Sequence, residues 1–125
     1  MLIEILKGKI HRATVTEADL NYVGSLTLDE NLMDAAGFRE FEKIQVLDIT
    51  NGNRLETYLI RGERGSGNVC INGAAAHLIQ KGNLVIIVGY CQLTEEEFIY
   101  HQPKIVYVNS KNQLISTSTE ETVPA

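Results

Sequence analysis

The dipeptide Gly24-Ser25 carries the residue types that could do the most unusual chemistry in this chain. Glycine reaches backbone angles that other residues avoid. Those angles can hold a strained peptide, at a cost of about 1–3 kcal/mol, with its carbonyl facing the next hydroxyl. The serine oxygen would attack that carbonyl, and elimination and hydrolysis would then leave a pyruvoyl group, which can act as an electron sink. The sequence therefore predicts self-cleavage between Gly24 and Ser25.

A plain turn is the alternative interpretation, because glycine and serine both favour turns. The chain holds a second such dipeptide, Gly65-Ser66, which we interpret as a flexible loop. Gly24-Ser25 differs because it lies between two runs that are typical of strands, Ile10–Thr16 and Ser25–Asp29. That position predicts a tight connection, which can hold one backbone geometry.

The positive groups best placed to face a site are Lys9, His11 and Arg54. Strand alternation places Lys9 and His11 on one side of their strand, where a solvated face is the alternative. The same alternation places Arg54 and Tyr58 on one face and Thr57 on the other. Thr57 and Tyr58 can therefore contact one site only near a bulge or a strand end. A packed Tyr58 with a hydrogen-bonded hydroxyl is the alternative to a catalytic one.

The segment Asn72-Gly73-Ala74-Ala75-Ala76 follows a predicted strand and opens a predicted helix that runs to Gln80. Backbone N–H groups and small side chains there would let a carboxylate approach closely. A simple helix capped by Asn72 is the alternative. The sequence has no paired spacing of zinc ligands, so we expect no metal site. Cys70 and Cys91 favour free thiols over a disulfide.

Short strands dominate the rest of the chain. Asn51-Gly52-Asn53 predicts a hairpin with a type I′ turn, and Leu84–Tyr90 is apolar enough to lie in the core. Asp29 or Glu30 is expected to cap a short helix that Gly37 ends. This pattern predicts one domain, residues 1–125, with a mainly β fold that closes into a compact barrel with helical corners.

The composition excludes several classes of protein. The 125 residues carry a net charge of −5, which argues against binding nucleic acid through phosphate contacts. No apolar run reaches the length that spans a membrane, and the N-terminus lacks the features of a signal peptide. We therefore expect a cytoplasmic protein without nucleic-acid or membrane partners.

Four motifs in this order resemble the bacterial L-aspartate 1-decarboxylase family, whose members depend on a pyruvoyl group. They are Leu6-x-x-Lys9-Ile10-His11-Arg12, Ala18-Asp19-Leu20-x-Tyr22-x-Gly24-Ser25, Thr50-Asn51-Gly52-x-Arg54-x-x-Thr57-Tyr58 and Asn72-Gly73-Ala74-Ala75-Ala76. The similarity runs without a gap from Leu6 to Tyr90 and thins beyond it. It implies a six-stranded double-psi β-barrel with short helices, assembled as a homotetramer with active sites between subunits.

The resemblance also implies how the chain is cut and which residues act. The chain would divide into a β chain, 1–24, and an α chain, 25–125, with Gly24 supplying the carbonyl at the cut. Ser25 would become the pyruvoyl group that forms a Schiff base with substrate, and Tyr58 would donate a proton. Thr57 would take part in self-cleavage and in the substrate site. The remaining implied site residues are Gly73, Ala74 and Ala75 at the substrate, with His11, Tyr22 and Asn72 in supporting positions.

The reaction so implied converts L-aspartate into β-alanine and CO2 for the biosynthesis of pantothenate and coenzyme A. Tight binding of the departing α-carboxylate would stabilise the ground state and slow the loss of CO2. We therefore expect Arg54, helped by Lys9, to bind the β-carboxylate. His11 has two open roles, which are polarising groups at the cleavage site and ordering Lys9. The sequence leaves open whether a maturation factor is needed.

Two other functions are compatible with a small barrel. One is an uncleaved, non-catalytic barrel with a binding or scaffold role, although no motif residue is missing. The other is an oligonucleotide-binding barrel, which the net acidity and the lack of basic-aromatic clusters disfavour.

Overall fold

The computed structural model describes residues 1–121, and the last four residues of the predicted α chain lie outside the described part. The strands are β1 (Ile3–Thr14), β2 (Glu17–Asp19), β3 (Ser25–Asp29), β4 (Lys43–Asp48), β5 (Arg54–Gly62), β6 (Val69–Asn72), β7 (Leu84–Leu93), β8 (Lys104–Val108) and β9 (Leu114–Ser118). The helices are α1 (Glu30–Ala36), a 3-10 helix (Gly73–His77) and α2 (Glu95–Phe98). The predicted mainly β class with short helices is confirmed.

The sheet closes into a ring through the junction between β1 and β2. The strand order is β2-β6-β3-β5-β4-β7-β1-β8-β9, and only Val15 and Thr16 separate β1 from β2. The N–H of Val15 donates to the carbonyl of Asn83 before β7, whereas the N–H of Thr16 donates to the carbonyl of Val69 in β6, each at 2.9 Å. The two ends of the sheet therefore meet along one continuous stretch of chain.

Counted this way, the ring has six strands, in which β1 and β2 act as one interrupted strand. It contains two parallel pairs, β2–β6 and β3–β5, among antiparallel neighbours, and the fold is of the double-psi β-barrel class. The β8–β9 hairpin adds to the ring through a parallel pairing of β8 with β1. The predicted count of six therefore describes the ring and is wrong for the sheet as a whole, which has nine described strands.

Apolar side chains from every wall of the ring fill its interior. β1 contributes Ile10, β3 contributes Leu26 and Leu28, β5 contributes Leu59 and β7 contributes Ile87, and all five are fully buried. Burying one such side chain contributes about 1.5–3 kcal/mol. The filled interior holds the strands that carry the site residues in fixed register.

The helix predicted to begin at Asp29 or Glu30 forms as α1, and Asp29 is its N-cap. Its Oδ1 accepts the N–H of Asn31 at 2.8 Å. The same buried carboxylate also accepts the N–H groups of Gly65 and Gly67, at 3.0 and 2.8 Å. Gly37 ends the helix in the left-handed conformation, with φ of 75°. Asp29 therefore joins the end of β3 to the loop before β6.

The predicted hairpin at Asn51-Gly52 forms, since β4 and β5 pair in antiparallel register. Its predicted type I′ turn is wrong, because that turn needs positive φ at both central residues and only Gly52 has one, at 80°. The loop is longer, and the buried side chain of Asp48 accepts the N–H groups of Thr50 and Asn51. A side chain therefore organises this loop in place of the tight turn.

One buried amide attaches the β8–β9 hairpin to the ring. The Oδ1 of Asn112 accepts the N–H of Thr14 at 2.8 Å, and its Nδ2 donates to the carbonyls of Thr14 and Gly67 at 2.8 Å each. Asn112 is 2% exposed and has a positive φ of 59°. Three hydrogen bonds of this side chain therefore connect parts of the sheet that are distant in sequence.

Across residues 1–121, none of the helices combines the length and the apolar character that crossing a membrane requires.

Candidate active site

Seven of the predicted site residues line one cavity of about 450 Å³. They are Gly24, Ser25, Thr57, Tyr58, Asn72, Ala74 and Ala75. Leu55, Glu56 and Leu78 complete its walls. Residues from three separate motifs of the sequence therefore converge at one place, where the starts of β3 and of the 3-10 helix meet β5.

The cavity opens at an edge of β5 that has no partner strand. Residues 54–58 of β5 pair with β4 on one side only, whereas pairing with β3 on the other side begins at Leu59. Thr57 and Tyr58 point to opposite faces of β5, yet both border this open edge. The expectation that the two could share a site only near a bulge or a strand end is wrong, because β5 continues to Gly62 and no register shift interrupts its pairing with β4.

Ser25 combines three unusual features at the first position of β3. It is 2% exposed, and its φ is 149°, in a range that residues with side chains rarely adopt. Its Oγ has no hydrogen-bond partner among residues 1–121. A buried hydroxyl without a partner is costly, and strained backbone of this kind concentrates at functional sites. The backbone of Ser25 is therefore strained, and its hydroxyl makes no hydrogen bond within residues 1–121.

Asn72 lies directly across from Ser25 in the antiparallel β3–β6 ladder. Its side chain makes no cap hydrogen bond to the 3-10 helix, so the alternative of Asn72 as a simple helix cap is wrong. Its Nδ2 instead donates to Oγ1 of Thr27 at 3.0 Å. The helix is also shorter than predicted, because it ends at His77 rather than near Gln80. Asn72 is therefore oriented from within the sheet.

Thr27 is a residue that the sequence reasoning missed. It follows Ser25 by two positions on β3, so strand alternation places both side chains on one face. The spacing could have indicated from sequence that Thr27 shares a face with Ser25. The position of Asn72 across from them could not be read from sequence, because it depends on the register of β3 with β6. Thr27 accepts a hydrogen bond from Asn72 and does not border the cavity.

Lys9 and His11 lie on a different part of the ring, and neither lines the cavity at Ser25. Both are on β1, where they pair with Ile105 and Tyr107 of β8. Around the ring, β1 reaches β3 through β7, β4 and β5 in one direction, and through β2 and β6 in the other. The Nζ of Lys9 lies 3.2 Å from Oε1 of Glu121, in the C-terminal segment. The Ser25 cavity of one chain is therefore lined without Lys9 and His11.

Burial lowers the pKa of His11 below its ordinary value, and the nearby charges of Lys9 and Arg12 lower it further. The Nδ1 of His11 is buried and has no hydrogen-bond partner in the described part of the chain. Its ring packs edge-on against Tyr107, with ring centroids 6.0 Å apart. The lowered pKa favours the neutral form of His11. The residue also borders a second cavity, of about 530 Å³.

Arg54, Tyr22 and Gly73 lie beside the cavity without lining it. Arg54 is exposed at the first position of β5 and forms no ion pair with any carboxylate of residues 1–121. The side chain of Tyr22 is 56% exposed in the loop before Ser25. Gly73 lies against the backbone of Gly24. Gly73 therefore contacts a residue that lines the cavity, whereas Arg54 is linked to it through its neighbour Leu55.

No group of three or more His, Cys, Asp or Glu side chains within residues 1–121 is arranged to hold a metal ion. Cys70 and Cys91 are free thiols. Burial raises the pKa of the Cys91 thiol, which keeps it protonated at neutral pH.

The sequence is similar to known proteins over nearly its whole length. A protein named aspartate 1-decarboxylase from Caldicellulosiruptor saccharolyticus is 63% identical over 121 residues, which cover 97% of this chain and 94% of that protein. Proteins of the same name from Acetivibrio thermocellus and Clostridium botulinum are 56% identical over 121 residues and 57% identical over 114 residues. The first alignment covers 97% of this chain and 96% of the Acetivibrio protein, and the second covers 91% of this chain and 90% of the Clostridium protein.

Among solved structures, a computationally designed protein named msDPBB_sym2 is 15% identical, with a TM-score of 0.44, over 70% of this chain and 99% of that one. Similarity at that level does not establish a shared fold, so the fold is assigned from the strand pairing described above. The sequence model of the family described as aspartate decarboxylase matches residues 1–115. The chain therefore belongs to the aspartate decarboxylase family of enzymes.

Proposed function

We propose that this protein decarboxylates L-aspartate to β-alanine and CO2 after it has cut its own backbone between Gly24 and Ser25. The observation that carries the proposal is the state of Ser25, which is buried and strained, with an uncommitted hydroxyl. Thr57 and Tyr58 line the same cavity. Family membership supports the substrate, and β-alanine made in this way would serve the biosynthesis of pantothenate and coenzyme A.

The residues at position 25 fit the formation of a pyruvoyl group. The Oγ of Ser25 attacks the carbonyl carbon of Gly24, the peptide C–N bond breaks, and the nitrogen takes up the proton that Oγ loses. Elimination then releases the carboxylate of Gly24, and hydrolysis of the resulting N-terminal enamine releases ammonia. Strain at Ser25 favours this route because the cut relieves it. The side chain of Thr57, in the same cavity, would assist the attack.

A pyruvoyl group at position 25 would supply a ketone that captures the amine of the substrate and withdraws electrons as CO2 leaves. Tyr58 would then return a proton to the carbon that has lost its carboxylate. Its side chain lines the cavity and is 38% exposed, so its hydroxyl can reach bound substrate. Ala74 and Ala75 form a wall with small side chains that leaves room for the substrate.

Arg54, with help from Lys9, would hold the carboxylate that the substrate keeps. Binding the departing carboxylate as tightly would stabilise the ground state and slow the loss of CO2. A guanidinium group suits the task because it can donate two parallel hydrogen bonds, each worth about 1.5–3 kcal/mol. Arg54 is exposed, forms no ion pair with any carboxylate of residues 1–121 and directly precedes Leu55, which lines the cavity, and these features support this role.

We further propose a homotetramer with its active sites between subunits. Lys9 and His11 do not line the Ser25 cavity of their own chain, and we propose that they serve the Ser25 cavity of a neighbouring chain. His11, whose lowered pKa favours the neutral form, would polarise groups at that site. The open edge of β5 at the cavity is free of a strand from its own chain and can be approached by another.

Mixing two inactive variants tests the shared site. Co-expression of Ser25→Ala and Lys9→Ala chains is expected to restore activity, because random assortment gives about a quarter of the interfaces an intact Ser25 and an intact Lys9. Each variant expressed alone is the control. Activity of the mixture that equals the sum of the two controls would place Lys9 and Ser25 in the same chain's site, or Lys9 outside any site.

The proposed products of the cut are the fragments 1–24 and 25–125. The protein would act in the cytoplasm, where the two free thiols, Cys70 and Cys91, stay reduced. A maturation factor would be required only if the purified chain cuts itself slowly.

The first experiment is an intact mass of the purified protein under denaturing conditions, followed by an assay for β-alanine. We expect two masses, with the larger fragment lighter by one ammonia than a chain that starts with serine. A single full-length mass that persists after warming, in a protein that releases no β-alanine, would support the alternative of an uncleaved barrel with a binding or scaffold role. Release of β-alanine by an uncut chain would reject the proposed cofactor.

A further inference from the structure

Gly73 approaches the backbone before Ser25 so closely that no side chain fits between them. A Cβ atom at position 73 would lie 2.7 Å from Cα of Gly24 and 3.1 Å from its nitrogen. It would also lie 3.3 Å from the carbonyl oxygen of Tyr22. Real Cβ atoms essentially never approach another atom to less than 3.0 Å. Gly24 therefore occupies space that any other residue at position 73 would need.

The close contact distinguishes Gly73 from two other glycines with positive φ, Gly52 and Gly82. Gly73 has a φ of 65°, and Gly52 and Gly82 have φ of 80° and 89°. Replacing any of the three would strain the backbone, because residues with side chains disfavour this conformation. A Cβ at Gly52 or Gly82 would meet no atom within 4 Å. The conformation is thus common to all three, and the contact with Gly24 is specific to Gly73.

Few other contacts fix the segment between β2 and β3. The N–H of Tyr22 reaches the carbonyl of Asp19 at 3.4 Å, which is long for such a bond. The side chains of Tyr22 and Val23 are 56% and 72% exposed. Regular pairing resumes only at Ser25, which lies opposite Asn72. Gly24 therefore packs against Gly73, the next residue after Asn72.

We propose that Gly73 is a positioning residue for self-cleavage, which seats the Gly24 carbonyl where the hydroxyl of Ser25 can attack it. This inference rests on the proposed self-cleavage and adds a role to the lining of the substrate site that the resemblance implies. An added methyl group at position 73 displaces Gly24, since Gly24 lies in an exposed loop that can yield more easily than the sheet. The bond that forms, from Oγ of Ser25 to the carbonyl carbon of Gly24, then starts from the wrong geometry.

The test compares Gly73→Ala with Gly82→Ala, which introduces the same kind of backbone strain without a contact. The rate of cleavage is followed by intact mass from the moment of synthesis in a cell-free system. We expect Gly73→Ala to cleave about 100-fold more slowly than the wild type, because a misplacement of about 1 Å can cost that much. We expect Gly82→Ala to cleave within about 3-fold of the wild type.

Folding is measured separately, in chains that also carry Ser25→Ala and so cannot be cut. There we expect Gly73→Ala and Gly82→Ala to have similar melting temperatures. Cleavage of Gly73→Ala at the rate of Gly82→Ala would overturn the proposal, and so would a Gly73→Ala chain that fails to fold in the uncut background, since that result would make Gly73 structural. A wild-type chain that is never cut would reject the proposed function itself.

Discussion

Ser25→Ala is expected to give a folded, full-length chain that releases no β-alanine above background, a loss of at least about 10⁴-fold. The reason is that the substitution would remove both the proposed nucleophile of self-cleavage and the proposed source of the cofactor, and with them most of the rate acceleration. The folded barrel should remain, because the Oγ of Ser25 forms no hydrogen bond within residues 1–121. Intact mass, circular dichroism and an assay for β-alanine measure the three parts of this prediction.

The chain offers a matched control in its second Gly-Ser dipeptide. Ser66 lies in an exposed loop, where its hydroxyl donates to the carbonyl of Glu63. We expect Ser66→Ala to be cut and to turn over substrate like the wild type. Two fragments from Ser25→Ala, or full activity without a cut, would show that the hydroxyl of Ser25 is not the group that acts.

Tyr58→Phe is expected to lower kcat by about 10²–10⁴-fold, the range in which a positioned proton donor contributes. Self-cleavage should go to completion in this variant, because the nucleophile and the carbonyl that it attacks, in Ser25 and Gly24, are unchanged. KM should change little, since the phenyl ring keeps the shape of the cavity wall that Tyr58 provides. Intact mass reports the cut, and steady-state kinetics with L-aspartate report the turnover.

Tyr100→Phe is the control for this measurement, because Tyr100 is 86% exposed and does not border the Ser25 cavity. It should match the wild type in cleavage and in kcat. A Tyr58→Phe enzyme with kcat within about 3-fold of the wild type would mean that another group, or solvent, returns the proton. An uncut Tyr58→Phe chain would place the tyrosine in maturation instead.

Local signals in the sequence predicted those parts of the fold that depend on neighbouring residues. The boundaries of β3 at Ser25 and Asp29 and the cap of α1 were correct, because a strand flanked by a capping aspartate follows local rules. The convergence of Gly24, Ser25, Thr57 and Asn72 on one cavity followed from the family resemblance. Periodicity alone would have separated Thr57 from Tyr58.

Features that depend on pairing between distant strands were beyond the sequence. Nothing local indicates that Asn72 hydrogen-bonds Thr27, since that contact follows from the register of β3 with β6. The three hydrogen bonds of Asn112 likewise depend on where the β8–β9 hairpin meets the ring. The sequence also did not show where in the ring the strand of Lys9 lies. Alternation indicates the face of the strand on which a side chain lies, but not the position of that strand in the ring.

The ring is closed by chain that lies ahead of the proposed cut, so cleavage there would change the molecularity of folding. Both β1 and β2 lie within residues 1–24, and they pair with β7, β8 and β6 of the remainder. Before cleavage, this stretch is tethered to its partners, so refolding is a first-order process. After cleavage, the same barrel is a complex of two chains held by strand pairing and by the buried Ile10. In the proposed cleaved form, dissociation of the two chains of one subunit would add a dependence of the unfolding midpoint on protein concentration that the uncut Ser25→Ala subunit lacks.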